Sequence, residues 1–339
     1  MNENKIKLTI GYATHNRKDY IVRRITNLIN IDAPDDVEII IVDNASTDGT
    51  FEAISDLVVD SKIKVFRNSE NLGFAGNFVE VLKRATGDYV IWSSDEDNIN
   101  FNGVQNLFDW MDDKKFDVIF LNHYRKEKSK KIIPLRKNRT RVIEYTDLWG
   151  CCHLPGSVWN RSVTLTNLDD WDEMKNKYPE TSKYYPNLLL MVKLIPSFNC
   201  YFFDGYISYQ RDLAKSQNAV YECGLQYFHL IPRWLQHNEI IELIESCIQK
   251  TENIKYKKYL HKMYKSLNRN LYTYISTAIR EERPHLYAYF SRSCSPIYIA
   301  RRWYSLIKLV FKSLFDDPLL GIHRIKKRLK VRYMHNNKL

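Results

Sequence analysis

The chain has 339 residues, 44% hydrophobic and 27% charged, with only 10 prolines and 11 glycines, a composition that excludes a disordered or fibrous protein. Its length allows one large domain or one domain with an appendage. Lys and Arg exceed Asp and Glu by 51 to 40, a net charge of +11, and that surplus favours an anionic partner: nucleotide, nucleic acid or acidic lipid.

In chain order, Lys7–Tyr12 reads as a buried strand, Asp19–Asn30 as an amphipathic helix and Val37–Val42 as a second, β-branched strand. After the polar run Asp43–Gly49, the pattern predicts a helix over Thr50–Val58, a strand over Ile63–Arg67 and a helix over Ala75–Ala85. A strand at Asp88–Trp92, a helix at Phe101–Met111 and a strand at Asp117–Asn122 follow. Arg125–Arg141 is dense in basic residues, either a solvated loop or a flap over an anionic ligand. Leu154–Arg161 carries a turn and a short strand, and Tyr185–Leu194 reads as a helix. The apolar stretch Leu188–Phe203 is broken by Lys193 and Pro196, which suits a buried helix and strand better than a bilayer span.

From about Glu222 the pattern turns helical, over Leu225–His237, Glu239–Lys250, Tyr256–Glu282 and Pro296–Phe315. The expected organisation is an α/β catalytic domain over 1–221 and a helical C-terminal region over 222–339. Strands separated by helices imply a mostly parallel sheet covered on both faces. Met1–Gly11 lacks the apolar stretch of a secretory leader and no run reaches about 18 apolar residues, so no membrane span is expected. The six cysteines, with no C-x-x-C pairing, suit free thiols in a reducing cytoplasm.

Ligands of such sheets sit outside the carboxyl ends of the strands. Four polar loops fall there: Thr14-His15-Asn16-Arg17, Asp43-Asn44, Asn68–Asn71 and Ser94-Asp95-Glu96-Asp97-Asn98. Mg²⁺ and Mn²⁺ prefer oxygen ligands, and phosphate-handling sites commonly combine one or two carboxylates with phosphate oxygens. Asp95 and Asp97 suit that role, Asp97 on the metal and Asp95 on the ribose or on the metal through water; a helix cap or exposed turn is the alternative. Asp43 can accept a hydrogen bond from a ribose hydroxyl or a base N–H. Asp48 is expected to shape a turn and cap the next helix. Asn71, Gly73, Gly76 and Asn77 form a loop whose glycines allow backbone to approach a nucleotide closely.

The runs Ile10–Arg17, Ile41–Thr50, Asn71–Asn77, Ala85–Val90 and Asp95–Asp97 resemble, in order and spacing, family 2 glycosyltransferases with the GT-A fold. That resemblance covers about residues 5–100, and a weaker likeness to the abequosyltransferase-like bacterial branch extends through Pro155–Arg161 and Tyr185-Pro186-Asn187. It implies a GT-A-type, Rossmann-like catalytic domain that transfers sugar with inversion from a nucleoside-diphosphate sugar to an acceptor hydroxyl. In it Thr14, Asn16, Arg17, Asp43, Asn71, Asn77 and Asp95 would bind the donor, with Thr14 near the base. Asp95 and Asp97 would hold Mn²⁺ or Mg²⁺ as a D-x-D motif, and Gly156 and Ser157 would belong to the acceptor wall or to a plain turn. Many relatives place the catalytic base in a Glu-Asp pair at a helix start, where this chain has Pro186-Asn187. Glu180 is then the leading substitute, ahead of Asp172 and Asp204.

A bacterial surface glycan (lipopolysaccharide, capsule or a lipid-linked saccharide) is the expected acceptor. Two other classes compete. A sugar nucleotidyltransferase needs a glycine- and basic-rich phosphate loop after the first strand, and Tyr12–Arg17 has no glycine run. A GT-A-like binding or scaffold protein would keep the fold without turnover. No recognised nucleic-acid module accompanies the basic stretches, so nucleic acid is not expected as a partner. The C-terminal mixture of Arg301, Arg302, Trp303, Tyr304 and Lys326–Arg328 suits either a core helix or a peripheral attachment to an anionic membrane at the inner face of the cell membrane. Cys151-Cys152 and His153 have no companion ligands for zinc.

Overall fold

The computed structural model describes residues 5–122 except 32, 60–62, 96 and 113, together with 124–126, 132–134, 156–194, 199–210 and 230–264. The chain opens with β1 (Leu8–Thr14), α1 (Lys18–Ile29), β2 (Val37–Asp43), α2 (Thr50–Leu57), β3 (Ile63–Arg67), α3 (Gly73–Arg84) and β4 (Tyr89–Ser93). β1, β2 and β4 are almost wholly buried, as near-continuous apolar runs should be in a parallel sheet covered on both faces. Then come β5 (Asp97–Ile99), α4 (Phe101–Met111), β6 (Val118–Leu121), β7 (Tyr124–Lys126), β8 (Ile132–Pro134) and β9 (Ser157–Asn160). Four short helices follow, α5 (Arg161–Leu165), α6 (Trp171–Lys177), α7 (Pro179–Tyr184) and α8 (Pro186–Leu194), before β10 (Cys200–Phe203), β11 (Ser208–Gln210) and α9 (Leu230–Lys250).

Among the described residues the main sheet has seven strands in the order β10-β6-β9-β4-β1-β2-β3, parallel except for β9, which runs antiparallel between β4 and β6. A second, four-stranded sheet has the order β5-β11-β7-β8. Side chains alternate across the main sheet. Ile40, Val42, Val90 and Trp92 pack with Phe78, Val81 and Leu82 of α3 and with α8, while Ile10, Ile39, Ile41 and Ile91 pack with Ile21 and Ile25 of α1, Ile54 of α2 and Leu107 of α4. Gly11 allows α3 to lie directly on β1, since a Cβ there would fall 2.2 Å from Val81 Cγ1.

Two elements differ from the sequence pattern. The two helices expected over 225–237 and 239–250 are one helix within the described range, α9, because Asn238 interrupts the apolar spacing without a Pro or Gly to break the backbone. Residues 236–264, which the pattern groups with the C-terminal helices, belong to the same compact unit as the α/β sheet. Ile240, Ile241 and Ile244 of α9, with Tyr256 and Leu260 from the helical residues 254–264, complete the core around Leu189 and Leu190 of α8. The basic stretch 127–131 and 135–141, Glu96, residues 151–155, and the C-terminal segments beyond 264 lie outside the described residues.

Candidate active site

β1 ends in register with its neighbours, Thr14 beside Asp43 of β2 and Tyr12 beside Ser93 of β4. Residues two apart point to the same face of a strand, so these four side chains share the α1 face of the sheet at its carboxyl rim. All four are buried; among the described residues Thr14 Oγ1 and Asp43 Oδ1 have no hydrogen-bond partner, and the Tyr12 and Ser93 hydroxyls have at most each other. Each such atom costs about 1–3 kcal/mol when left unsatisfied. Such atoms gathered on one rim mark a place where a polar ligand would repay the cost. Burial also pushes the Tyr12 phenol up to about 12, so it stays a neutral donor.

Asp43 is 0% exposed, and its second oxygen, Oδ2, accepts from Ser46 N at 3.0 Å and faces Arg67 Nε at 3.6 Å. Arg67, half-exposed at the end of β3, also donates to Ser46 O at 2.9 Å and Glu52 Oε1 at 3.0 Å and lies over the Phe51 ring. The turn between them bends through Ala45 and Gly49, both at positive φ. Asp48 stitches this turn: Oδ1 accepts from Thr50 N at 3.0 Å and Oδ2 from Lys18 N at 3.2 Å. Although burial works against it, the bonds from Thr50 and Lys18 hold the Asp48 carboxyl below its ordinary range.

An asparagine network joins the loops after β1, β2 and β3. Asn44 Nδ2 donates to Asn71 Oδ1 at 2.7 Å, and Asn44 Oδ1 accepts from Asn68 Nδ2 and Leu72 N, each at 3.0 Å. Asn77 is buried and spends its side chain internally, donating to Val42 O at 3.0 Å and accepting from Asn68 at 3.1 Å. His15 Nδ1 lies 2.9 Å from Asn44 O, which can only accept, so Nδ1 carries the proton and Nε2 accepts from Asn71 Nδ2 at 3.1 Å. Asn16, at φ 51, accepts from Thr47 N at 2.8 Å and its own amide donates to Ser46 Oγ at 2.8 Å. Asn16, Asn71 and Asn77 thus shape the rim.

The acidic turn faces two arginines. Asp97 N donates to Ser94 O at 3.0 Å, closing the turn, and Asp97 is buried at the start of β5. Arg17 takes both carboxylate oxygens of Asp95, with Nε to Oδ2 at 2.5 Å and Nη2 to Oδ1 at 3.0 Å. Arg24, buried on α1, donates Nε and Nη2 to the main-chain carbonyl of Asp95, both at 3.2 Å, and Nη1 to Asn98 Oδ1. Among the described residues no three His, Cys, Asp or Glu groups converge on one point. Two carboxylates fit Mg²⁺ or Mn²⁺ completed by phosphate oxygens, and not a structural zinc site.

The structure therefore brings Thr14, Asn16, Arg17, Asp43, Asn71, Asn77, Asp95 and Asp97 to one rim. The other candidates lie on later elements, with Ser157 paired to Phe120 near the carboxyl end of β6 and Asp204 directly after β10. Ser157 is fully buried in β9 and its hydroxyl accepts from Trp159 Nε1 at 2.8 Å, while Gly156 is buried just before that strand. Glu180 stands in the first turn of α7, beside Thr181, whose amide donates to the buried Glu239 at 2.7 Å. Asp172 is 83% exposed and paired with Lys175, and the exposed Asp204 accepts from Asn122 at 2.7 Å. Tyr12, Ser93, Arg24 and Arg67 join the site without having been singled out. Their signal was strand register for the first two, and position beside the Asp95 and Asp43 loops for the arginines.

Residues 9–168 match the model of glycosyl transferase family 2. The chain is 25% identical over 226 residues to abequosyltransferase RfbV of Salmonella typhimurium, covering 62% of this chain and 66% of that one, just under two thirds. It is 27% identical over 118 residues to the poly(ribitol-phosphate) beta-N-acetylglucosaminyltransferase TarS of Staphylococcus aureus, covering 34% of this chain and 21% of that one. The solved structure of S. aureus TarS 1-349 superposes with a TM-score of 0.57 at 18% identity, over 82% of this chain and 75% of that one. The mannosyltransferase PcManGT from Pyrobaculum calidifontis, in complex with GDP-Man and Mn²⁺, gives 0.52 at 17% identity over 89% and 80%. Among the described residues no helix is long and apolar enough to cross a membrane. The mostly parallel sheet with its polar rim at the strand ends is matched in fold by TarS, and within it residues 9–168 match glycosyl transferase family 2, the sequence counterpart of a GT-A-type fold.

Proposed function

We propose that this domain transfers a sugar, with inversion, from a nucleoside-diphosphate donor to a hydroxyl of a bacterial surface glycan: lipopolysaccharide, capsule or another lipid-linked saccharide. The observation that supports it most is the buried Asp43 Oδ1, without a partner among the described residues, beside the equally unpartnered hydroxyl of Thr14. A carboxylate in that state accepts from a base N–H or a ribose hydroxyl. Thr14 and the half-exposed Arg67 flank the same spot. The bound UDP and UDP-GlcNAc of the TarS complexes, and the GDP-Man and Mn²⁺ of PcManGT, support a nucleotide donor and a divalent cation.

Asp97 and Asp95 would hold Mg²⁺ or Mn²⁺, which when bound offsets the charge that develops on a departing diphosphate. Arg17, at the same turn, adds a guanidinium suited to phosphate. Glu180 is the proposed base for the acceptor hydroxyl. Gly156 would border the acceptor through its backbone, since the Ser157 hydroxyl is spent on Trp159. The C-terminal residues 222–339 are proposed to attach the protein peripherally to the inner face of the cell membrane through their basic, aromatic end.

The test is nucleoside diphosphate release from UDP-, GDP- and dTDP-sugars with Mn²⁺ or Mg²⁺ supplied. One nucleotide class should turn over, and Asp97→Ala should lower release by about 100-fold or more, the scale of a lost charge-stabilising group. Glu180→Gln should keep nucleotide binding while losing transfer. No release from any class, with bacterial lipid-linked glycans present, would contradict glycosyl transfer.

A further inference from the structure

The acidic turn is held twice, in two different ways. Arg24 is only 6% exposed and grips the backbone: the carbonyl of Asp95 and, beyond it, the side chain of Asn98. Arg17 instead neutralises the Asp95 carboxylate in a two-pronged pair, its side chain 21% exposed against 9% for Asp95. Arg17 stands at the entry to α1, next to the left-handed Asn16, with its guanidinium over the Tyr20 ring at 4.5 Å. Releasing Arg17 would therefore leave the turn's backbone in the grip of Arg24.

The next step rests on the glycosyl-transfer proposal above. A divalent cation bound by Asp95 and Asp97 needs an oxygen that Arg17 now occupies, and cation and guanidinium repel at that range. The donor delivers a new anion to the same rim. A guanidinium pairs with phosphate by the same two-pronged geometry that it uses on a carboxylate.

We propose that Arg17 is an exchangeable counter-ion: it neutralises Asp95 in the metal-free protein and passes to the donor diphosphate when a divalent cation takes its place on Asp95. Metal alone must then compete with Arg17, whereas nucleoside diphosphate draws Arg17 away and tightens metal binding. By linkage the metal tightens nucleotide binding by the same factor. Arg17 is in this sense a positioning residue whose signature is the coupling between the two ligands.

The experiment measures Mn²⁺ uptake by the full chain, from the loss of the free Mn²⁺ paramagnetic signal, alone and with saturating UDP or GDP. Wild type should bind Mn²⁺ about tenfold more tightly when its nucleotide is present, the size of a typical coupling. Arg17→Gln should bind Mn²⁺ alone about tenfold more tightly than wild type and lose most of the coupling, while its nucleotide affinity falls. Arg17→Lys keeps the charge without the fork and should move the same way, to a lesser extent, which provides a reading if the Gln variant does not fold. A fixed strut behaves oppositely: weaker Mn²⁺ binding alone in both variants, or coupling unchanged, overturns the exchange while leaving glycosyl transfer intact. If wild type takes up no Mn²⁺ with either nucleotide, the exchange and the metal-dependent donor site fall together.

Discussion

Asp43 and Asp95 are both carboxylates at strand ends, yet their surroundings assign them different work. Asp43 is sealed from solvent with one oxygen held by Ser46 and Arg67 and the other without a partner among the described residues, which is the basis of its proposed role in accepting a ligand's N–H or O–H. Replacing it by Asn keeps the shape but halves the acceptor capacity and removes the charge opposite Arg67. Asp43→Asn should weaken nucleotide binding by about 10- to 100-fold, the worth of a hydrogen bond to a charged group. Titration calorimetry with UDP and GDP measures this, and unchanged affinity would remove Asp43 from the donor site. The placement of Thr14, Asp43, Asp95 and Asp97 at strand ends was legible in the sequence because each ends or directly follows an apolar strand. Tyr12 and Ser93 were not, since single polar residues at the ends of apolar runs declare themselves only through cross-strand register. Arg24 was hidden for another reason: an arginine in an amphipathic helix reads as part of its wet face, and here it is buried against Asp95 and Asn98.

The strand–helix alternation through Leu121 was readable because parallel strands and their covering helices differ in both period and polarity. The antiparallel β9 was not readable as a sheet insertion, because its four residues carry no mark of direction. Nor was the continuity of α9, where three successive core-facing positions are polar: Gln236, His237 and Glu239 are all buried. Glu239 is the informative one, since it ties α9 to the start of α7 beside Glu180 through the Thr181 amide. Burial is the main cause that raises the Glu239 carboxyl from 4.5 to about 7, with the Thr181 bond opposing it. The folded chain thus holds this proton more tightly than the unfolded chain. Its contribution to stability is complete below about pH 4.5 and is lost as pH rises toward 7. Glu239→Gln keeps an acceptor for Thr181 and removes the titration, so the fall in stability between those values should be shallower, by at most about 3 kcal/mol. Denaturant melts of both proteins at pH 5 and pH 8 check it, and parallel pH profiles would contradict it.

At the scale of the molecule, one α/β unit carries the whole polar rim, and α9 with residues 254–264 completes its core. The composition announced a globular protein and the surplus of 11 positive charges an anionic partner, without choosing between nucleotide and membrane. A nucleotide at the rim is the partner proposed for the α/β unit. If the basic C-terminus attaches the chain to a surface as proposed, truncation after Asp317 should abolish most sedimentation with anionic vesicles; undiminished binding would exclude that tail as the anchor. The proposed donor chemistry depends on metal and nucleotide meeting between Asp43 and the turn at 95–97. Crystals soaked with Mn²⁺ and the turned-over nucleotide test this most directly. The expected result is an anomalous manganese peak at Asp97 touching the diphosphate, with the base or ribose against Asp43; an acidic turn facing bulk solvent, away from the bound nucleotide, would contradict it.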